Sequence, residues 1–373
     1  MSAEFDCAVV GAGVMGASVA LPLARAGMRV VVFDRGPICR EASGVNAGTL
    51  TMQMTRAALI PYALKAWELW MDAPRWLGLG VGTERRDGLS VAFTEAEVAI
   101  LEARAAARRA AGAPIVLIDG AEARRIEPGL TDRALRAGHC PVDGFASAYL
   151  TGRAFRLALA ASGATLREAT PVLGAERSGG MFRLRLDGGG TVMARRLVLA
   201  GGVWLEEMAG WFGIALPIKV LVNQLAVTER MPPVMRSVLG IASGLLSLKQ
   251  YPNGTVLIGG GWQGRGGRHD GRGDGFVPEA LLGNIRLAVF VMPALRRARI
   301  VRAWLGLEAE TEDALPLLGP LPGVADAWII GSVHSGYTSG PFMGQLLADA
   351  ILGRAPALPL FPPERLLARK DAA

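Results

Sequence analysis

Three glycines and one carboxylate, Gly11, Gly13, Gly16 and Asp34, stand at a spacing that can bind phosphate and ribose. The glycines follow the β-branched pair Val9-Val10, and Asp34 closes a second apolar run 18 residues past Gly16. In a strand–turn–helix–strand unit, the first glycine makes the tight turn, the second lets backbone approach a pyrophosphate, and the third permits close helix-to-strand packing. The helix N-terminus offers the positive end of its dipole to the phosphates. The acid, expected about 20 residues on, grips a ribose hydroxyl. The stretch CAVVGAGVMGASVALPLARAGMRVVVFDR, Cys7 to Arg35, therefore reads as a dinucleotide site. It is uncharged from Cys7 through Ala24, but it fits neither a signal peptide nor a spanning helix, because Glu4 and Asp6 precede it and glycines interrupt it.

The elements that must hold these residues follow from the pattern. A helix is predicted from Met15 to Ala26, ending at Gly27, and a strand from Arg29 to Phe33. An amphipathic helix covers Ala57–Met71. A strand (Gly88–Phe93), a long helix (Glu95–Ala111) and a short strand (Ile115–Ile118) then break the mononucleotide pattern, as inserted material does. The pattern resumes with a helix at Ser147–Ala161, strands at Pro171–Arg177 and Phe182–Leu186, and ARRLVLAGGVW (Ala194–Trp204). A second insertion carries alternating strands at Ile218–Glu229, Gly244–Tyr251 and Thr255–Gly260, then a helix at Pro278–Met292. Near the end, AWIIGSVHSGYTSGPFMGQLLA (Ala327–Ala348) reads as strand, polar loop and helix, with the helix over Phe342–Leu352 and Pro341 as its first residue.

Bulk properties narrow the function classes. With 373 residues, 51% of them hydrophobic, the chain can build two domains. The net charge of +7 is almost all arginine, scattered along the chain; Lys65, Lys219, Lys249 and Lys370 are the only lysines. The one dense patch, GRGGRHDGRGDG (Gly264–Gly275), carries two aspartates and no aromatic residue to stack a base, so no nucleic-acid partner is expected. Cys7, Cys39 and Cys140, with His139, His269 and His334, give neither a disulfide framework nor a metal-ligand spacing. A reducing cytoplasm fits, and the mean hydropathy of +0.32 leaves room for peripheral association with the inner membrane. GGGWQG (Gly259–Gly264) repeats the glycine spacing, but the loop-rich RGGRHDGRGDG that follows offers no helix, so a second nucleotide site is not expected.

FAD and NAD share the opening fingerprint, and three later segments favour flavin. EASGVNAG (Glu41–Gly48) offers the Ser43 hydroxyl, the Asn46 amide and the bare backbone of Ala47 and Gly48 to a pyrophosphate and an isoalloxazine. VLAGGVW puts Gly201 and Gly202 at a strand end beside Trp204, where backbone must pass close to something flat or charged. HSGYTSGP (His334–Pro341) aims another helix N-terminus, with Ser335, Gly336, Tyr337 and Thr338, at a ligand; that dipole favours charge growing at N1 and C2=O of a reduced flavin.

With these segments the chain resembles the FAD-dependent oxidoreductases of the D-amino acid oxidase type, among them glycine, sarcosine, opine, iminodiacetate and hydroxyproline oxidases or dehydrogenases. The resemblance rests on VVGAGVMG, ASGVNAG, ATPV (Ala169–Val172), LVLAGGVW, DGLS (Asp87–Ser90), NGTVLIGG (Asn253–Gly260), RAWLGLEAETEDALPLLGP (Arg302–Pro320) and HSGYTSGP, and covers nearly the whole chain. It implies an α/β fold in which a Rossmann-type FAD-binding domain (1–82, 141–216 and 302–373) interleaves with an α+β substrate domain (83–140 and 217–301) built on a mainly antiparallel sheet. It implies that Val172 meets the adenine through its backbone and that Asp34 with Arg35 holds the adenosine side. No cysteine falls near Leu315–Gly319 or His334–Gly340, where covalently tethered relatives carry one, so FAD is expected to be non-covalent.

Oxidising an amine to an imine needs a hydride delivered to flavin N5 from a neutral amine, with the protein supplying orientation, a dry pocket and charge complementarity. Small amino or imino acids suit such a site. O2 or a membrane or quinone-linked carrier would take the electrons. Two alternatives stay open: a flavin-bearing subunit of a multi-chain amine dehydrogenase, and a nicotinamide-dependent dehydrogenase; a homo-oligomer is compatible with either. Trp262, Trp304, Tyr251, Tyr337 and Met54 are candidates for the apolar wall, and His334 and Tyr337 for the reacting end. Some glycine-oxidase-like relatives carry an arginine for the substrate carboxylate after W-x-G-L, where this chain has Glu308. The polar face of LLSLKQY, which alternates Ser247, Lys249 and Tyr251 with Leu246 and Leu248, therefore suggests Lys249 and Arg265, with Tyr251, as the polar end of the pocket. Arg56 and Arg302 are the next candidates, Arg302 lying about 20 Å from Glu308 along an extended strand.

Overall fold

A computed structural model of the chain describes residues 4–267 and 275–367. Two sheets, woven from alternating pieces of the chain, form the frame. The first has the strand order Leu317–Pro320, Ala327–Gly331, Thr191–Leu199, Glu4–Val10, Val30–Phe33, Thr165–Arg167, with a hairpin of Val172–Ser178 and Met181–Leu186 added to Thr191–Leu199. Its central strands are parallel. Both faces are covered, which explains why Cys7–Val10 and Val30–Phe33 are continuous apolar runs rather than alternating ones. The opening helix, Val14–Arg25, packs against the late helix Gly336–Ile351. That crossing needs a small residue, since a Cβ on Gly344 would lie 2.4 Å from the Cβ of Ser18; against the turn before the opening helix, a Cβ on Gly16 would lie 2.0 Å from the carbonyl oxygen of Gly11.

The second sheet runs Ile300–Thr311, Ile218–Arg230, Thr255–Gln263, Leu246–Gln250, Val238–Ile241, Glu84–Ala92, Arg136–Phe145, Thr49–Leu50, with Val116–Asp119 beside Arg136–Phe145. All its pairings are antiparallel except Val238–Ile241 with Glu84–Ala92. The sheet curls, so that Thr49 on its last strand reaches Ser247 in its middle, with their hydroxyls 2.7 Å apart. It includes all of Arg136–Phe145 and Ile300–Thr311, so boundaries placed at residues 141 and 302 fall inside strands of this sheet.

Two elements depart from the sequence-based expectation. The late helix begins at Gly336, not Phe342, and Pro341 lies inside it. The proline removes a donor to the Tyr337 carbonyl, and the Trp70 indole N–H takes that place, donating to Tyr337 O at 3.2 Å and to Thr338 O at 3.0 Å. Glycines 259–261 lie within the strand Thr255–Gln263 rather than at a turn; a Cβ on Gly260 would strike Asn284 Oδ1 at 2.2 Å. Of the arginine-rich loop, residues 268–274, with His269, lie outside the described residues.

Candidate functional site

A cavity of about 470 Å³ runs from the opening glycines to the inner face of the second sheet. At its first end, Gly11 has φ +110° and a Cβ there would lie 2.3 Å from the Ala200 carbonyl oxygen, so the turn can only be glycine. Gly13 precedes the helix in extended backbone, and the Val14 N–H donates to Ser43 Oγ at 3.0 Å. The Ser43 hydroxyl thus stands over the positive end of the helix, where an anion is favoured. Asp34 accepts from the N–H of Ala12 at 2.7 Å and of Gly36 at 2.9 Å; burial raises its carboxyl against these two bonds. Each oxygen keeps acceptor capacity for a ribose hydroxyl. The Arg35 guanidinium lies 3.6 Å from the centroid of the Trp204 ring, and both line the cavity with Val172.

Further in, Gly48 adopts φ +67° and a Cβ on it would lie 2.2 Å from Ala146 O, so only glycine fits against that backbone; Gly48 itself does not line the cavity, while Ala47 and Thr49 on either side of it do. Asn46 also lines the cavity, but its amide is committed within its own loop: Nδ2 donates to Ala42 O and Ser43 O, and Oδ1 accepts from Gly48 N. It shapes the loop rather than presenting an amide. Gly201 and Gly202 line the opposite wall, Gly202 at φ +58°. Ser335, Gly336, Tyr337 and Thr338 form the first turn of the late helix on the cavity wall, and Thr338 Oγ1 donates to Thr49 O at 3.1 Å.

The proposed polar end of the pocket is not where period two put it. Lys249 is 1% exposed and does not line the cavity. Its Nζ donates to Thr49 Oγ1 at 2.5 Å and Ser247 Oγ at 3.0 Å, behind two hydroxyls that do line it. Burial pushes the amine down to about 7, and no described carboxylate pairs with it. Tyr251 is turned to the back of the flavin-side loop, donating to Ala47 O at 3.1 Å, and burial raises its phenol to about 12. Arg265 is exposed and outside the cavity, as is Arg302. Arg56 is spent on Glu310 at 2.5 Å. The Tyr337 hydroxyl bonds Thr151 Oγ1 at 2.8 Å and its ring stacks on Trp70, so only its turn of backbone belongs to the site. Trp262 is outside the cavity and 47% exposed, and the Trp304 indole holds the Val45 carbonyl at 2.7 Å; of the expected wall Met54 lines the cavity, and Tyr337 does so with the first turn of the late helix.

What does face this end is His334, Glu308 and Asn223. His334 Nδ1 lies 2.5 Å from Glu308 Oε1, and Asn223 Nδ2 donates to Glu308 Oε2 at 2.5 Å. Burial alone would lower the imidazole, but the hydrogen bond to Glu308 and its charge, with Glu310 adding, raise it. Below them Thr51, another lining residue, donates to the buried Asp143 at 2.6 Å; burial lifts that carboxyl to about 6. Asn223, Thr49, Thr51 and Asp143 were not singled out from sequence, because their partners are distant in the chain. The alternation that marked Ser247 was the available signal for this wall.

The residues fit FAD. A Cβ would fill the glycine cradle, and the Ser332 hydroxyl, 4% exposed on the cavity wall in a backbone with φ +57°, has no partner. The chain matches the family described as FAD dependent oxidoreductase (DAO) over residues 6–350. It is 28% identical to a glycine oxidase of Geobacillus kaustophilus over 371 residues, covering 97% of each chain. It is 26% identical to an opine oxidase subunit of Agrobacterium tumefaciens, covering 93% of each. The crystal structure of glycine oxidase from Geobacillus kaustophilus superposes with a TM-score of 0.84 at 26% identity, covering 95% of this chain and 96% of that one. Among the described residues no three His, Cys, Asp or Glu side chains are grouped to hold a metal, and no helix is long and apolar enough to cross a membrane.

Proposed function

Because the chain belongs to the family of FAD-dependent oxidoreductases, we propose that this enzyme oxidises the C–N bond of a small amino or imino acid, the imine product then hydrolysing. FAD, held without a covalent link, supplies the hydride acceptor at N5. The observation that carries the reading is one continuous cavity in which the dinucleotide cradle opens onto the inner face of the second sheet. Gly13, Ser43 and the helix N-terminus hold the pyrophosphate, Asp34 the ribose, and Arg35 with Trp204 and Val172 flank the adenine. The Ala47 backbone and the first turn at Gly336–Thr338, both on the cavity wall, would face the isoalloxazine, where the second helix dipole favours negative charge. Met54, Leu225 and Leu245 give the substrate an apolar wall. Relatives named for glycine and for opines support a small amine-bearing acid. The test is anaerobic mixing of the purified yellow protein with glycine, sarcosine, iminodiacetate, L-proline and D-amino acids. Bleaching by at least one of them supports the reading, and an unbleached flavin with all of them removes it.

A second reading is that the chain is the flavin-bearing subunit of a larger enzyme. It is favoured by the exposed, apolar start of the edge strand Ile300–Thr311, where Ile300 is 38% and Val301 61% exposed, and by the relative named as one chain of an opine oxidase. Size-exclusion chromatography combined with turnover by the isolated chain separates the two: a lone chain that turns over at ordinary rates with an artificial acceptor needs no partner.

A further inference from the structure

We propose that His334, oriented by Glu308 and Asn223, is the base that takes the proton from the substrate ammonium before the C–H bond is broken. The proposal rests on the amine-oxidation reading above. An amino acid arrives protonated on nitrogen, and a C–H bond next to an ammonium cannot release hydride, because no lone pair is available to form the imine. One proton must therefore leave first. The imidazole bonds through Nδ1 to Glu308 Oε1, and Nε2 has no partner among the described residues. Glu308 is fixed on its other oxygen by Asn223 Nδ2, so the carboxylate, and with it the ring, has one orientation. A carboxylate on Nδ1 sets the tautomer whose Nε2 carries the lone pair, and stabilises the imidazolium once it forms.

The surrounding charges agree. The titratable or charged groups facing His334 are Glu308, Glu310 and Arg56, and Arg56 is paired with Glu310. Glu308 is thus left to bias the site toward a cation. No arginine or lysine lines this end among the described residues; the lining arginines, Arg35 and Arg40, accompany the opening glycines and Asp34. In the step itself the substrate N–H bond breaks, its electron pair stays on nitrogen, and a new Nε2–H bond forms. Nothing is oxidised or reduced until the hydride leaves.

Base and clamp predict opposite slopes. A base works as neutral imidazole, so kcat/KM must rise with pH through the His334 pKa. An imidazolium that clamps a carboxylate would make it fall. The experiment uses holoenzyme and whichever of glycine, sarcosine, iminodiacetate and L-proline bleaches the flavin fastest. His334→Gln, with normal FAD content, should lower kcat/KM at neutral pH by about 100-fold or more, the usual worth of a general base. That loss should shrink as pH approaches the pKa of the substrate amine. Glu308→Gln should move the acidic limb to lower pH, and the imidazole titration of His334, read by NMR in a chain with three histidines, should move with it. A wild-type pH profile in His334→Gln, or a kcat/KM that falls as His334 deprotonates, overturns the base. If no amine bleaches the flavin, the functional reading falls and the base with it; bleaching with an unchanged His334→Gln profile removes only the base.

Discussion

Replacing Lys249 by methionine should stabilise the protein at acid and neutral pH, and the gain should vanish as pH rises. The ammonium is 1% exposed and meets only the hydroxyls of Thr49 and Ser247, so its charge is buried without a counter-charge. Its pKa falls from 10.5 to about 7, which at about 1.4 kcal/mol per unit is a penalty of roughly 5 kcal/mol while the folded amine carries its proton. Methionine has a similar length and fills the same space. It gives up two hydrogen bonds of about 1 kcal/mol each, but Thr49 and Ser247 stay bonded to each other at 2.7 Å. The expected net gain for Lys249→Met is about 3 kcal/mol at pH 6. Between pH 7 and 10.5 the unfolded lysine holds its proton and the folded one does not, so wild-type stability rises with pH through this site and the variant's advantage shrinks. Near pH 10 it should reverse to a loss of about 1 kcal/mol, rising toward about 2 kcal/mol, the two bonds alone, once the unfolded amine is neutral as well. Urea unfolding of both proteins at saturating FAD, compared at each pH, cancels contributions from every other titrating group. Equal stability at pH 6, or an advantage that grows with pH, would refute the reasoning.

Other perturbations test the cofactor end. Gly13→Val should purify without flavin, because its side chain would occupy the approach to the pyrophosphate beside Ser43 Oγ, 3.2 Å from the position of a Cβ; a full yellow stoichiometry contradicts this. Asp34→Ala should weaken FAD by about 1.5 to 3 kcal/mol, or roughly 10- to 200-fold in Kd by fluorescence titration, as expected for lost charge-assisted bonds. An unchanged Kd would mean that another residue holds the ribose. Tyr251→Phe removes the bond to Ala47 O and should cost about 1 kcal/mol of stability while leaving the pH profile of turnover intact; a shifted profile would place the phenol in the chemistry.

The dinucleotide half was legible because its signals are local. A buried parallel strand, three glycines with distinct tasks and an acid after the next strand all lie within Cys7–Arg35. The opening helix, Val14–Arg25, and the strand Val30–Phe33 match the sequence pattern within a residue or two. The late helix was read too short because Pro341 looks like a start. Only the Trp70 indole, far away in sequence, shows how an interior proline is tolerated. Arg136–Phe145 was not read as a strand, since Gly138, Pro141 and Gly144 suggest turns. The substrate end was the least legible. Alternation correctly put Ser247, Lys249 and Tyr251 on one face, but the curl of the sheet brings Thr49 over Lys249 and the Ala47 carbonyl over Tyr251. Glu308 attracted notice as a departure from an expected arginine. Its partners, Asn223 on the neighbouring strand and His334 before the late helix, become visible only when strand register and helix start are known.

The most direct measurement is an anaerobic single turnover of the FAD-loaded protein with the amine that reduces it fastest, following the visible flavin band and the released products together. Flavin-dependent C–N oxidation predicts that one equivalent of flavin bleaches for each equivalent of carbonyl compound and free amine or ammonia formed. Bleaching without those products, or no bleaching by any small amino or imino acid, would contradict it.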